Sequence, residues 1–434
     1  MLSEEQNAII SQTGAGTLMG DLLRRYWIPF AAVTELDDDP VKAVRLLGED
    51  LVLYRDRDGH YGLLDRHCPH RRADLSYGWV EQCGLRCNYH GWIWDHLGNC
   101  TGQPFEEVAH PDGHFKDKVT IKAYKVEAKA GLLWAYIGPA PVPLVPTWEP
   151  FTWSNGFVQI VFSKIPCNWF QCQENSIDPV HFEWLHDNWS LELRGQSEPK
   201  PSRHLQVRFP EFEFGFQYQR IREGQPETDD LWTVGRVCLW PNALFTGEHF
   251  EWRIPIDDTN TLSVGWFYSR VPREMEPYHQ DKIPYWYAPI KDEATGRWIT
   301  SHVMNQDFVA WVGQGTVSDR WNEHLGESDR GVTLMRKRML EAARTVAAGG
   351  EAPALVRDPE RNRCIELPIV GRKRIRDGFS LEDVPQIDPS LRPPYFPRDF
   401  PFLAGQPEEI RQAYWHAMGQ GRVPTPALGS ASTE

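Results

Sequence analysis

Two short motifs, sixteen residues apart, supply four metal-binding side chains: Cys68-Pro-His70 and Cys87-Asn-Tyr-His90. Thiolates and imidazoles are the protein groups that hold iron and zinc. A single residue between cysteine and histidine is a tighter knuckle than that of a zinc finger, where about two to four residues separate the paired cysteines. The pattern suits a [2Fe-2S] cluster in which two cysteines bind one iron and two histidines the other. A structural zinc and a chance juxtaposition are the competing readings. The demanding spacing within both pairs weighs against chance.

Further along, the chain reads Glu174-Asn-Ser-Ile-Asp178-Pro-Val-His181-Phe-Glu-Trp-Leu-His186. His181 and His186, joined by a carboxylate from elsewhere, would form a facial triad that leaves positions open for oxygen at a ferrous ion. On a regular α-helix, five residues turn two side chains about 140° apart. An irregular helix around 182–185, either a π-bulge or a helix end, is therefore expected. Taken alone, two histidines in an aromatic-rich helix are ordinary packing. Downstream of a cluster motif they gain a second meaning.

In this order the two motifs resemble the α (oxygenase) subunits of Rieske non-haem iron aromatic-ring oxygenases, with a likeness that runs from the N-terminus to about residue 345. Asn175-x-x-Asp178-Pro-x-His181 and the flanking CNWFQCQENS are most similar to the phthalate dioxygenase branch, which includes vanillate-type O-demethylases. The resemblance implies that Cys68, His70, Cys87 and His90 bind the cluster. It implies that Asp307, in Met-Asn-Gln-Asp-Phe-Val-Ala-Trp, joins His181 and His186 around a mononuclear Fe(II). Glu323, Asp319 and Asp329 compete for that place but read as solvated charges. Gln314 lies two turns beyond Asp307 on the same helix face and is placed to support it. By the same resemblance Asp178, with Asn175 beside it, links His90 of one subunit to His181 of the next. The corollary is a ring-shaped homotrimer, because head-to-tail contacts that close generate a cycle. Asp178 also reads as a carboxylate at a helix N-terminus ahead of Pro179.

Hydrophobic patterning shows what must position these ligands. Helical spacing appears at 2–10 and 18–26. Strands follow at 43–47, 51–55 and 61–65, with turns at Gly48-Glu49-Asp50 and Asp58-Gly59, and a closing strand at 132–137. The cluster ligands therefore fall on loops at strand ends. Pro139, Pro141, Pro143, Pro146 and Pro150 read as a stiff linker. They divide the chain into a Rieske [2Fe-2S] domain with an N-terminal helical segment, 1–150, and a catalytic non-haem iron domain with a proline-rich tail, 151–434. In the second part a strand is expected at 157–165, and another presents Phe212, Phe214, Phe216 and Tyr218 on one aromatic face. Strands at 232–240, 249–256 and 262–268 follow, then helices at 304–312, 332–347 and 407–418 and a frayed end from 424. The fold class is α+β: an all-β Rieske domain, then an antiparallel sheet covered by helices, START/helix-grip-like.

Composition narrows the function. A net charge of −14 over 434 residues argues against nucleic acid or an anionic membrane as partner. The acidic N-terminus and the lack of a long apolar run predict a soluble, cytoplasmic protein. Of eight cysteines, Cys83, Cys100, Cys167, Cys172, Cys238 and Cys364 read as small buried residues, with Cys83 near enough to Cys87 to be a rival ligand. No glycine-rich nucleotide loop occurs, so NAD(P)H is expected to act only through a separate reductase or ferredoxin.

The reading is oxygen activation at Fe(II) to oxidise an aromatic acid, with O-demethylation or monohydroxylation of a methoxylated or carboxylated arene first. Phthalate-type ring cis-dihydroxylation is the alternative. A Rieske electron carrier is the reading from another class, and it would have no use for His181, His186 and Asp307. A zinc-stabilised scaffold is the third. An anionic substrate would need local arginines against the overall charge, and Arg203, Arg208, Arg220 and Arg253 are candidates. Trp240, Phe245 and Phe250 are candidates for an apolar wall, which core packing explains equally well.

Overall fold

Three alternating stretches form the antiparallel strands Val41–Leu46, Glu49–Arg55 and Tyr61–Asp65. They continue through Ala123–Lys129 and Leu132–Tyr136 to Ile28–Ala32, making a six-stranded sheet. A four-stranded sheet is built from the short strands Trp79–Val80, Leu85–Arg86, Ile93–Trp94 and Cys100–Gly102. Cys68 follows the strand Tyr61–Asp65, and Cys87 opens the loop between Leu85–Arg86 and Ile93–Trp94. The computed structural model describes residues 1–188, 203–384 and 405–421. The expected frayed end from 424 lies outside them.

A nine-stranded sheet forms the second part. Its centre pairs Gly156–Ile165 with Asn260–Arg270 over their whole length, and the latter with His249–Asp257. Tyr285–Tyr287 runs parallel to Gly156–Ile165, and the other pairings are antiparallel. The helix Trp169–Asn175, the helix Val303–Gly313 and the long helix Arg330–Ala347 accompany the sheet. The short C-terminal helix is Glu408–Ala417.

Several expectations are corrected. The aromatic alternation at 212–218 is a hairpin: Glu211–Phe212 pairs with the start of Gly215–Arg222, leaving Phe216 and Tyr218 on one buried face. The stretch 232–240 opens as a helical turn, Asp230–Thr233, because Asp229 caps the Leu231 N–H at 2.8 Å; the strand starts at Arg236. Cys83 and Cys364 are exposed, whereas the other four non-motif cysteines are buried.

The proline stretch is bonded to the rest of the chain. Leu144 N–H donates to Val356 O, Ile365 N–H to Thr147 O and Trp27 Nε1 to Pro143 O, all at 2.8 Å. Apolar contact is likewise continuous from sheet to sheet. Trp134 meets Trp252 edge-on at 5.5 Å, and the N–H groups of Leu47 and Gly48 donate to the carbonyls of Pro255 and Ile256. The first helix, Glu4–Ser11, begins in a capping box between Ser3 and Gln6. Together with Leu18–Leu23 it packs on Arg330–Ala347, where Ile10, Met19, Leu22, Met335, Met339 and Ala343 are all buried.

A buried ionic group locks the helix that leads into the second motif. Glu174 pairs with Arg320 at 2.8 Å and with Arg336, and Arg320 also donates to Asn7 Oδ1 at 2.9 Å. Burial disfavours the Glu174 carboxylate, but the two guanidinium groups outweigh it and hold the carboxyl below its usual value. This contribution to stability is complete above the ordinary glutamate pKa of about 4.3 and is lost as the pH falls through the lower folded value. Glu174→Gln leaves the buried Arg320 guanidinium without a carboxylate, while Arg336 keeps Glu323, and should cost about 3–5 kcal/mol in denaturant unfolding at pH 7. The difference from wild type should shrink in acid.

Candidate active site and cluster site

The two cluster loops are built on the same backbone plan. The N–H of Cys68 donates to Ala73 O at 2.9 Å, and its carbonyl accepts from Arg72 N at 2.8 Å. The N–H of Cys87 donates to Trp92 O at 2.8 Å, and its carbonyl accepts from Gly91 N at 3.0 Å. Each loop is closed by a left-handed residue four positions after its cysteine, Arg72 at φ 59° and Gly91 at φ 77°. Both thiols are buried, and a hydrogen bond between them pulls the Cys87 thiol down and pushes that of Cys68 up. The N–H groups of Tyr89 and His90 also lower Cys87.

The imidazoles form their own pair, with the His70 and His90 ring centres 4.5 Å apart. His70 stacks on Trp92 at 4.4 Å, and the His90 side is exposed. Thiols paired inside and imidazoles paired outside fit a two-iron cluster with unlike ligands on its two irons.

At the second motif the helix is a π-helix, Phe182–Asp187. Bonds that span five residues bring positions 181 and 186 onto one side, and the two imidazole centres lie 5.4 Å apart. Glu183 sits inside this turn, fully buried, 2.8 Å from Arg220 and from Arg222, and 3.1 Å from His204 Nε2. Arg220 also donates to Pro179 O at 2.7 Å. The turn is thereby fastened to the strands Gly215–Arg222 and His204–Arg208.

Asp307 comes from the helix Val303–Gly313, capped by His302 Nδ1, which accepts the Met304 N–H at 3.2 Å. Asp307 Oδ1 is 3.4 Å from His186 Nε2 and 3.6 Å from His181 Nε2. One ligand atom from each of the three lies within 4.8 Å of the others. Such separations suit neighbouring ligands about 2.1 Å from a common ion.

The far side of each imidazole is also held. His186 Nδ1 is 2.9 Å from Gln306 Oε1, so it donates there and leaves Nε2 bare for a metal. His181 Nδ1 faces Asp178 Oδ2 at 3.4 Å. Burial opposes the Asp178 carboxylate, yet His181 and the N–H groups of Val180 and His181 hold its carboxyl below the usual value. Asn175 Nδ2 donates to Asp307 Oδ1 at 3.1 Å. His302 is pushed down to about 3, chiefly by burial, and stays neutral.

Gln314, expected beside Asp307, instead caps the helix C-terminus and is exposed. The supporting amides are Gln306 and Asn175. Of the substrate candidates, Arg203 is exposed and lies 3.7 Å from Glu223, and Arg208 lies over Trp232 at 4.1 Å. Arg220 serves Glu183, while Arg253 is buried against Glu251 at 2.7 Å and over Trp311. Phe245 and Phe250 stack on each other in the core at 4.5 Å, and Trp240 packs on Phe216.

Two centres so equipped, one for a two-iron cluster and one for a single ion with open positions, define a Rieske oxygenase α-subunit, and the chain belongs to that family. Residues 26–122 match the Rieske [2Fe-2S] domain, and residues 225–360 match the family described as LigXa C-terminal domain like. The chain is 55% identical to the 5,5'-dehydrodivanillate O-demethylase oxygenase subunit of Sphingobium sp., over 96% of this chain and 97% of that one. It is 32% identical to the phthalate 4,5-dioxygenase oxygenase subunit of Pseudomonas putida, over 81% and 88%. In fold it is similar to Pseudomonas putida CBB5 NdmA, with a TM-score of 0.54 and 20% identity over 77% of this chain and 94% of that one.

The protein is thus an oxidoreductase, the oxygenase component of a multicomponent system, with a [2Fe-2S] cluster and a mononuclear iron. No helix among the described residues is long and apolar enough to cross a membrane.

Gln306→Leu removes the acceptor behind His186. It should weaken mononuclear iron binding about 10–100-fold, read as iron lost on dialysis against a chelator, while the cluster's visible spectrum stays unchanged.

Proposed function

We propose that the chain carries out O-demethylation of a methoxylated aromatic acid of the dehydrodivanillate kind. The observation that carries this reading is the 55% identity, over 97% of its length, to an oxygenase subunit of that activity. Cys68, His70, Cys87 and His90 hold the cluster, and His181, His186 and Asp307 hold Fe(II). When bound, these groups supply single electrons and oxygen activation beside the substrate.

The chain's own residues set the stage. Gln306 and Asp178 orient the two imidazoles, and Asn175 fixes the Asp307 oxygen that faces them. Asp178, 29% exposed on its side chain, presents an oxygen at the surface behind His181. It is the contact through which His90 of a neighbouring subunit in a homotrimer reaches this centre. The compartment consistent with this system is the cytoplasm.

A carboxylate substrate needs a cation that is not already neutralised. Arg236 meets this condition: it lies 4.7 Å from the Phe182 ring and 3.3 Å from Tyr218 Oη, and has no ion-pair partner among the described residues. The same Phe182 ring lies 5.0 Å from the His186 imidazole, so Arg236 stands one ring away from it.

Turnover of 5,5'-dehydrodivanillate under labelled oxygen tests the reading. A phenol plus formaldehyde is expected; two labelled atoms on ring carbons would mean ring dihydroxylation instead. Asp178→Asn should keep both metal centres loaded and lose nearly all turnover, and normal activity in that variant would remove its linking role. Arg236→Ala should raise KM for the acid far more than it lowers kcat.

A further inference from the structure

The Rieske part carries a second group of metal-binding side chains away from both centres. The hairpin turn at Asp58-Gly59 lies against residues 81–84: Arg57 N donates to Glu81 O, and Asp58 N to Gln82 O at 2.9 Å. This brings Asp58, His60 and Cys83 together, with one ligand atom of each within 4.8 Å of the others. All three are exposed, so an ion can reach them from solvent.

The surroundings treat His60 as a metal-ligating histidine is normally treated. Asp56, with its side chain fully buried, has Oδ2 at 3.2 Å from His60 Nδ1, and the same oxygen accepts the Gly84 N–H at 3.0 Å. Its Oδ1 accepts the His60 N–H at 2.8 Å. A carboxylate fixed in this way keeps the proton on Nδ1 and leaves Nε2 as a bare lone pair, the carboxylate–histidine–metal arrangement. The ring plane is fixed as well, because His96 stacks on His60 at 4.5 Å and only 7° from parallel. His96 Nδ1 is buried without a hydrogen-bond partner and, with Asp56 and His60, forms a second overlapping ligand group.

We infer that Asp58, His60 and Cys83 form a binding site for a divalent transition metal of the zinc class, with Asp56 and His96 orienting His60. One imidazole, one thiolate and one carboxylate are a donor set for zinc and its neighbours and a poor one for calcium or magnesium, which take oxygen ligands. The fourth position is open to water. Charge supports this assignment. Burial and the carboxylates of Asp56, Asp95 and Asp58 all raise the Cys83 thiol, so without a cation it is a poor nucleophile, and a cation is what would draw out the thiolate. Binding would tie the Asp58-Gly59 turn to the 81–84 segment.

The test is thiol protection on the full chain with both iron centres loaded, which keeps added zinc off the mononuclear site. Alkylation of Cys83 by iodoacetamide is followed by peptide mass spectrometry, with the exposed Cys364 as internal reference. Stoichiometric Zn2+ should slow labelling of Cys83 at least tenfold and leave Cys364 unchanged. His60→Gln should abolish the protection, and Asp56→Asn should weaken it about 10–100-fold in zinc concentration. Oxygenase turnover should be the same in all three proteins. Equal labelling with and without zinc overturns the assignment, as does protection that persists in His60→Gln.

Discussion

A single carboxylate, Glu183, decides whether His181 and His186 can meet. It lies inside the π-helix between them, fully buried, and three cationic or polar side chains from two strands converge on it. A π-turn is a strained alternative to the α-helix and persists only where surrounding contacts over-determine it. Here the contacts are ionic and enclosed, so leaving Glu183 unpaired would be far more costly than the irregular turn. The five-residue spacing of His181 and His186 then follows as a consequence of how the sheet grips the helix. Arg220 and Arg222 belong to the His181–His186 arrangement in this sense, through Glu183.

The same economy runs through the wider structure. The helix Trp169–Asn175 delivers Asn175 to Asp307 from one end, while Glu174 anchors it to Arg320 and Arg336. Its start is fixed by Asn168, whose Nδ2 donates to Ser11 O and Asp258 O. The N-terminal helices therefore brace the catalytic part despite preceding the cluster loops in sequence. The sheets on either side of the proline stretch share apolar and hydrogen-bonded contacts, so the Cys68 and Cys87 loops are carried on a frame continuous with the one that carries His181, His186 and Asp307.

Much of this was legible from residue types and spacing. The two cluster pairs, the two histidines and the need for an irregular helix between them all follow from ligand chemistry and helix geometry. Asp307 came through resemblance, since nothing local distinguishes it from neighbouring acids. What the sequence concealed depends on long-range pairing. Glu183 looks like any helix-surface glutamate until Arg220 and Arg222 are seen to face it. Gln306 looks less favourable than Gln314 for support of the site, because the same-face rule applies to Asp307 and not to His186, which Gln306 serves. The alternation of Phe212 to Tyr218 crosses a hairpin whose two-residue tip, Glu213-Phe214, continues the polar–aromatic pattern, with Gly215 after it as the one local sign of a turn. Exposed Cys83 departs from the usual burial of free cysteine because its neighbours are carboxylates and a histidine.

The matching closure of the two cluster loops bears on how the protein acquires its iron and sulfur. Each cysteine is seated by backbone bonds made entirely within its own loop, closed by a left-handed residue at the same offset. Bonds of this kind let the polypeptide itself meet part of the conformational entropy of ordering the loops, which lessens what cluster insertion must supply.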